Sequence, residues 1–171
     1  VSILLSEGIT NIGEYAFSEC SNLTSITIPN SVERIGDSAF FSCSNLTSVN
    51  ISGNSKLTNI ADYAFSYCSN LTSFTIPKNI DRIGAYAFRD CSRLYTIINY
   101  SDKYISAGSH NYGDLSFYAK RVLNGNSLIT VGDFQFRTSG NTHYLANYIG
   151  SDEGIILPDS YNNENYRIDA Y

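Results

Sequence analysis

One string of six residues recurs four times between residues 9 and 99: Ile12-Gly13-Glu14-Tyr15-Ala16-Phe17, Ile35-Gly36-Asp37-Ser38-Ala39-Phe40, Ile60-Ala61-Asp62-Tyr63-Ala64-Phe65 and Ile83-Gly84-Ala85-Tyr86-Ala87-Phe88. The Phe intervals are 23, 25 and 23 residues. Each Phe is followed three residues on by Cys (Cys20, Cys43, Cys68, Cys91) and six on by Leu (Leu23, Leu46, Leu71, Leu94). A core that closes once has no use for such a period. A stack of similar coils produces it, because each coil meets only its neighbours and needs the same anchors at the same places.

Spacing within the unit translates into geometry. Behind each Leu runs a short alternation in which Ile26, Ile28, Val49, Ile51, Phe74, Ile76 and Ile97 point inward while Thr27, Asn50 and Thr75 point outward. Coils stacked in register pair these strands into a parallel sheet with a spacing of about 4.8 Å. Pro29 and Pro77 end the strand, having no N–H for the ladder. Asn54 and Asn79 fall eight residues after Leu46 and Leu71, where stacked amides are expected to form a polar ladder. The far side carries Val32 to Ile35, Leu57 to Ile60 and Ile80 to Ile83, then Gly13, Gly36 or Gly84 where the path tightens. Ala-Phe after them reads as a helical or 3₁₀ turn that inserts a ring between layers.

The period continues more loosely. Tyr112-Gly113-Asp114-Leu115-Ser116-Phe117 and Val131-Gly132-Asp133-Phe134-Gln135-Phe136 keep the six-residue signature, with Phe intervals of 29 and 19 that together span two coils. Ile155-Ile156-Leu157-Pro158 repeats the strand and its stop, and Ile168-Asp169-Ala170-Tyr171 matches the start of the fourth string. Ile3, Leu5 and Ile9 fit Ile26, Ile28 and Val32, so both ends are expected to cut through a repeat. Residues 99–112 and 137–151 are expected to bulge as loops. The domain reading is one solenoid over 1–171, regular over 1–98 and degenerate with insertions over 99–171.

The string Leu-x-x-Ile-x-Ile-Pro-x-x-Val-x-x-Ile-Gly-x-x-Ala-Phe-x-x-Cys, with Ser-Asn before the next Leu, is similar to the leucine-rich repeats of the BspA-like family, also called the Treponema pallidum type. The resemblance is close over residues 3–98 and departs from the pattern at Asn99 and Tyr100, where Ile-Pro is expected. The expected fold is a leucine-rich-repeat solenoid of about seven right-handed coils. One face carries a parallel sheet of short strands, and the other carries short strands, turns and 3₁₀ segments. The resemblance also implies a repeat region of a cell-surface or secreted protein, with adhesion as the activity described for some members. It brings no catalytic residues and no cofactor.

Composition agrees with a recognition role. Charged residues make up only 16% of the chain and the formal charge is -5, so no basic face for nucleic acid is expected. No run approaches the roughly 20 apolar residues of a membrane helix, and direct membrane insertion of this segment is not expected.

Candidate sites follow from where the repeat faces outward or breaks. The Cys at one phase of successive coils form a line, whereas a metal needs ligands converging on a point. Equivalent side chains also point the same way, so buried free thiols are expected in preference to disulfides. Asn22-Leu23-Thr24, Asn45-Leu46-Thr47, Asn70-Leu71-Thr72 and Asn50-Ile51-Ser52 match the N-glycosylation pattern, but turn and strand preferences alone generate them. His110 and His143 lie in irregular segments and read as solvated loop residues. The first candidate surface is the outer sheet face, with Thr24, Thr27, Thr47, Asn50, Thr72, Thr75 and Tyr95, flanked by Ser25, Ser48, Ser73, Thr96 and Ile98. The second comprises Tyr100, Tyr104, Tyr112, Tyr118, Tyr144 and Tyr148, because Tyr offers rigid amphipathic area. The functional expectation is a non-enzymatic module that binds a protein or glycan. A spacer displaying a neighbouring domain is the alternative, and an enzyme with its site in the inserts is the remote one, which requires a deep pocket at His110 or His143.

Overall fold

The computed structural model describes residues 1–124, 128–131, 134–139, 142–148 and 166–168. The chain divides into two compact units, Val1–Gly125 and Asn126–Tyr171.

In the first unit the strand after each repeated Leu forms as the alternation requires. β1 (Ser2–Leu4), β3 (Ser25–Thr27) and β5 (Ser48–Asn50) make one parallel sheet, and β7 (Ser73–Ile76), β9 (Thr96–Asn99) and β10 (Arg121–Asn124) make another. Register follows the period, with Ser2 opposite Ser25, Ser25 opposite Ser48, Ser73 opposite Thr96 and Thr96 opposite Arg121. The break between β5 and β7 falls where the third coil carries its two extra residues. A second face holds β2 (Asn11–Ile12), β4 (Arg34–Ile35), β6 (Asn59–Ile60) and β8 (Arg82–Ile83), all parallel. These strands make a solenoid of about five turns.

The core is a set of columns. Phe17, Phe40, Phe65 and Phe88 stack along the axis with centroids 5.2, 4.9 and 5.2 Å apart and planes within 14° of parallel. Leu23, Leu46, Leu71 and Leu94 form a second buried column, and Val32, Leu57 and Ile80 a third.

The Ala-Phe corner differs from expectation. Among the described residues it contains no 3₁₀ or α-helical element. Instead each of four corners holds two left-handed residues four apart: Tyr15 and Glu19, Ser38 and Ser42, Tyr63 and Tyr67, Tyr86 and Asp90, with φ between 52° and 62°. The physical reason lies in the hydrogen bonds. A continuous 3₁₀ turn would direct every N–H back into its own coil. The left-handed residues turn alternate groups outward, so that the N–H of Tyr15, Phe17 and Glu19 donates to the carbonyls of Asp37, Ala39 and Phe41 at 3.0, 2.7 and 2.7 Å. Ser38, Phe40 and Ser42 repeat this onto Asp62, Ala64 and Ser66, and Tyr63, Phe65 and Tyr67 onto Ala85, Ala87 and Arg89. The corner is therefore a third inter-coil ladder.

In the fifth coil the expected alignment of Tyr112–Phe117 shifts. The Phe88 N–H donates to Gly113 at 2.7 Å, as the Phe65 N–H does to Ala87. Tyr112, with φ of 55°, stands where Tyr86 stands in the coil before. Leu115 takes the buried place and Phe117 is left exposed. Glycine is required at 113, where φ is 63° and a Cβ would meet the Gly84 carbonyl and the Ala87 backbone nitrogen. Nor is 99–112 a simple bulge: Ile105 packs into the core, and the Asn99 amide donates to the Lys103 carbonyl at 2.8 Å.

The second unit pairs differently from a coil. Its sheet runs β11 (Leu128–Val131), β12 (Phe134–Ser139), β13 (Thr142–Tyr148), β14 (Tyr166–Ile168). β12 is antiparallel to both β11 and β13, with a bulge at Gln135/Phe136, and β14 is parallel to β13. Val131 faces Phe134 across the first pair and Ser139 faces Thr142 across the second. The signature at 131–136 thus spans a chain reversal, and much of the stretch 137–151 read as loop is strand. Parallel coils cannot form when partners are joined through two residues; an antiparallel hairpin can. The string 155–158 and residues 169–171 lie outside the described residues.

Candidate binding face

Two parallel ladders, β1-β3-β5 and β7-β9, present the outward positions of these strands as two grids separated by the break after β5. Thr24, Thr47, Asn50, Thr72 and Tyr95 are exposed, while Thr27 and Thr75 are half-buried. The hydroxyls are already directed. Thr24 Oγ1 donates to the Val1 carbonyl at 3.3 Å, Thr47 to Thr24 at 3.0 Å and Thr72 to Thr47 at 3.4 Å. Asn50 Nδ2 donates to Thr27 Oγ1 at 3.3 Å. Thr24, Thr47 and Thr72 thus spend their hydroxyl protons on a neighbouring coil, which leaves their oxygens as acceptors. Lys120 Nζ lies 4.9 Å from the centre of the Tyr95 ring at one margin. Ile98 departs from expectation: it is only 2% exposed. Its strand partner is Leu123, so the outward face turns apolar at that end.

Among the described residues, four tyrosines of the second candidate surface differ in setting. Tyr104 is exposed, but Tyr100 packs its ring over Gly53, where a Cβ would come within 2.7 Å of it. Tyr112 packs against the core, and Tyr118 meets the Phe117 ring at 4.8 Å. Tyr144 and Tyr148 lie on β13, and their side chains are outside the described residues. The tyrosines that do share an exposed side are Tyr63, Tyr67 and Tyr86 at the corners, with Tyr15 two coils before Tyr63. Their signal stood in the six-residue string, where Tyr precedes Ala-Phe in three of four copies.

The four Cys are free thiols, with Cys43, Cys68 and Cys91 buried and Cys20 half-buried. Each buried thiol has a job that spacing alone did not reveal. Cys43 Sγ donates to the Phe17 carbonyl at 3.0 Å, Cys68 to Phe40 at 3.2 Å and Cys91 to Phe65 at 3.1 Å. Burial pushes Cys43 from an ordinary 9.0 to about 11 and Cys91 to about 12, and raises Cys68 well above its ordinary value. At pH 8 an aromatic disulfide reagent is expected to titrate Cys20 rapidly in the native chain and all four only after denaturation, since the thiolate is the reactive form. The linkage has a definite sign. Between pH 9.0 and about 11 to 12 the unfolded chain has lost thiol protons that the native chain keeps, so stability falls as pH rises through that window and is whole below it. Rapid labelling of all four native thiols would contradict this.

The expected amide ladder is displaced. Asn79 Nδ2 reaches the Ser55 carbonyl at 3.3 Å, but the ladder proper is Asn45 on Ser21 at 2.7 Å and Asn70 on Ser44 at 2.8 Å. These are the asparagines of two glycosylation-like triplets, and their amides already donate between coils.

His110 is exposed, with Nδ1 2.9 Å from Asp114 Oδ1 and its ring 4.2 Å from Phe117. The side chain of His143 is outside the described residues. Among the described residues, no group of three or more His, Cys, Asp and Glu could hold a metal ion, and no helix is long and apolar enough to cross a membrane.

A stack of coils with a parallel sheet on one side, a Leu, Ile and Phe core, and an Asn ladder at the bend defines a leucine-rich-repeat solenoid. The chain belongs to the BspA-type leucine-rich repeat family, whose model matches residues 1–116 in 6 copies. Its fold is similar to a leucine rich cell surface protein from Faecalibacterium prausnitzii A2-165, with a TM-score of 0.51 and 24% identity over 86% of this chain and 45% of that one. It is also similar to a leucine-rich repeat protein from Eubacterium ventriosum, with a TM-score of 0.50 and 23% identity over 85% of this chain and 36% of that one. The chain therefore spans less than half of either. No curated protein matches it.

Proposed function

We propose that the chain is a non-enzymatic recognition module of a cell-surface or secreted protein, and that its outer sheet face binds a protein or glycan. The observation that carries this reading is the pair of polar grids, Thr24, Thr27, Thr47 and Asn50 on one parallel sheet and Thr72 and Thr75 on the other, each held in register by its own ladder. Short side chains lose little entropy on binding, and many modest hydrogen bonds sum to useful affinity. Because the hydroxyl protons of Thr24, Thr47 and Thr72 are spent on a neighbouring coil, the partner surface matching these positions supplies N–H and O–H donors. A surface setting is supported by the Faecalibacterium protein of similar fold, described as a cell surface protein. It is also compatible with burial of three of the four thiols, Cys43, Cys68 and Cys91, away from oxidants.

Immobilised extracellular-matrix proteins and a glycan array, probed with the folded chain, test the proposal. A ligand is expected whose binding weakens at least ten-fold in the Thr27→Arg, Asn50→Arg, Thr75→Arg triple variant. A ligand bound equally well by the variant, or no ligand on either surface, would overturn the sheet-face reading.

A further inference from the structure

The corners carry a surface that the sheet-face reading leaves unused. Tyr15, Tyr63, Tyr67 and Tyr86 are 60%, 39%, 42% and 46% exposed, on backbones with φ of 54°, 56°, 62° and 54°. That region disfavours a bulky L-residue, and glycine or asparagine would hold it more easily. The inter-coil ladder sets this backbone, as it does at Ser38 and Ser42, and a bulky exposed ring kept on it, where a smaller residue would sit more easily, points to use of the ring. Their backbones are held by the ladder, and three of the rings are packed against other rings. The N–H of Tyr15, Tyr63 and Tyr67 bonds the next coil at 3.0, 3.0 and 2.7 Å, Tyr63 stacks on Tyr86 at 5.4 Å, and Tyr67 meets Phe41 edge-on at 5.5 Å.

What these rings accept is visible inside the chain. The Arg89 guanidinium carbon lies 5.4 Å from the centre of the Tyr86 ring, and Arg82 Nη2 bonds Asp62 Oδ1 at 2.6 Å. The fourth coil thus fills its ring and the neighbouring carboxylate with its own arginines. Around Glu14, Tyr15 and Glu19 the place of Arg89 is taken by Ser18, while Arg34 of the second coil holds the place of Arg82 beside Glu14 without pairing with it. Glu14 and Glu19 are exposed and make no ion pair among the described residues. Acids dominate this end, with Glu7, Glu14, Glu19, Glu33 and Asp37 against Arg34 alone in residues 1–46.

We propose that the tyrosine-bearing corner is a second interaction surface, whose partner is an extended, arginine-rich segment of another protein. Guanidinium is the fitting group because it stacks on an aromatic face and pairs with a carboxylate through a planar fork, whereas a lysine ammonium does so less well. The charge of the chain, -5, draws such a segment in.

Fluorescence anisotropy with labelled nona-arginine and nona-lysine at about 150 mM salt, where the Debye length is about 8 Å, provides the test. Two variants accompany the parent chain: Tyr63→Asn, Tyr67→Asn, Tyr86→Asn, in which asparagine suits the left-handed backbone, and Glu14→Gln, Glu19→Gln on exposed side chains. Nona-arginine is expected to bind several-fold tighter than nona-lysine and to weaken roughly ten-fold or more in the tyrosine variant. It is expected to weaken in the glutamate variant as well. No binding of nona-arginine, or equal binding of both peptides that neither variant changes, would overturn the proposal. If the tyrosine variant shows an altered circular dichroism spectrum, the arginine preference and the glutamate variant decide the matter.

Discussion

Truncating Phe65 to alanine is expected to cost about 3–5 kcal/mol of stability, the range for removing a buried aromatic ring. The ring is fully buried, lies between Phe40 at 4.9 Å and Phe88 at 5.2 Å, and meets the edge of Phe74 at 5.3 Å. Neighbours on both sides belong to other coils, so the cavity would sever the column in its middle and cannot collapse from one side. Phe17 supplies the comparison. It occupies the same repeat position but is half-buried and stacks on one ring only, Phe40 at 5.2 Å. Phe17→Ala should therefore cost clearly less. Denaturant midpoints followed by circular dichroism measure both, and equal losses would contradict the column as the axis of the core.

Gly36→Ala is expected to cost about 2–3 kcal/mol, whereas Gly13→Ala in the same 171-residue chain should change stability by no more than about 0.5 kcal/mol. The two glycines share a place in the repeat, and the difference lies in what the preceding layer puts beside them. A Cβ on Gly36 would meet Glu14 N at 2.7 Å and Gly13 C at 2.8 Å, while one on Gly13 would meet nothing within 4 Å. Backbone atoms cannot swing aside as a long side chain can. Thermal melts of the two variants separate this from simple flexibility: if both lose the same amount, close approach of adjacent layers is not why glycine sits there.

The repeat made the stack legible because its anchors report one geometry several times over. Leu23, Leu46, Leu71 and Leu94 recur at one phase, and all four are buried; strand register follows the same intervals. The corner was harder, because Tyr and Ser give no compositional sign of a left-handed backbone, which arises from the need to direct alternate N–H groups to the next coil. Past residue 99 the six-residue signature misled. Tyr112–Phe117 matches the pattern in letters, yet the insertion before it moves Tyr112 into the place of Tyr86. At 131–136 and 139–142 the informative signals were Gly132-Asp133 and Gly140-Asn141 between runs of aromatic and β-branched residues, a hairpin pattern that coincides with the letters of the repeat signature. On the candidate face, outward phase named Thr27, Asn50 and Thr75 correctly as strand positions. It could not tell that the threonine hydroxyls turn back toward their neighbours, nor that Ile98 is covered.

Each coil is bonded to its neighbours along the corner as well as along the strand face, and amide hydrogen exchange reads the corner ladder directly. At neutral pH the Phe40 and Phe65 N–H groups, each bonded to the next coil at 2.7 Å, are expected to be among the slowest to exchange. Ser38, Ser42, Tyr63 and Tyr67 should be protected with them, and Phe17 less so. Exchange of Phe40 and Phe65 at the rate of an unstructured chain, with protection confined to the strands on the sheet face, would contradict it.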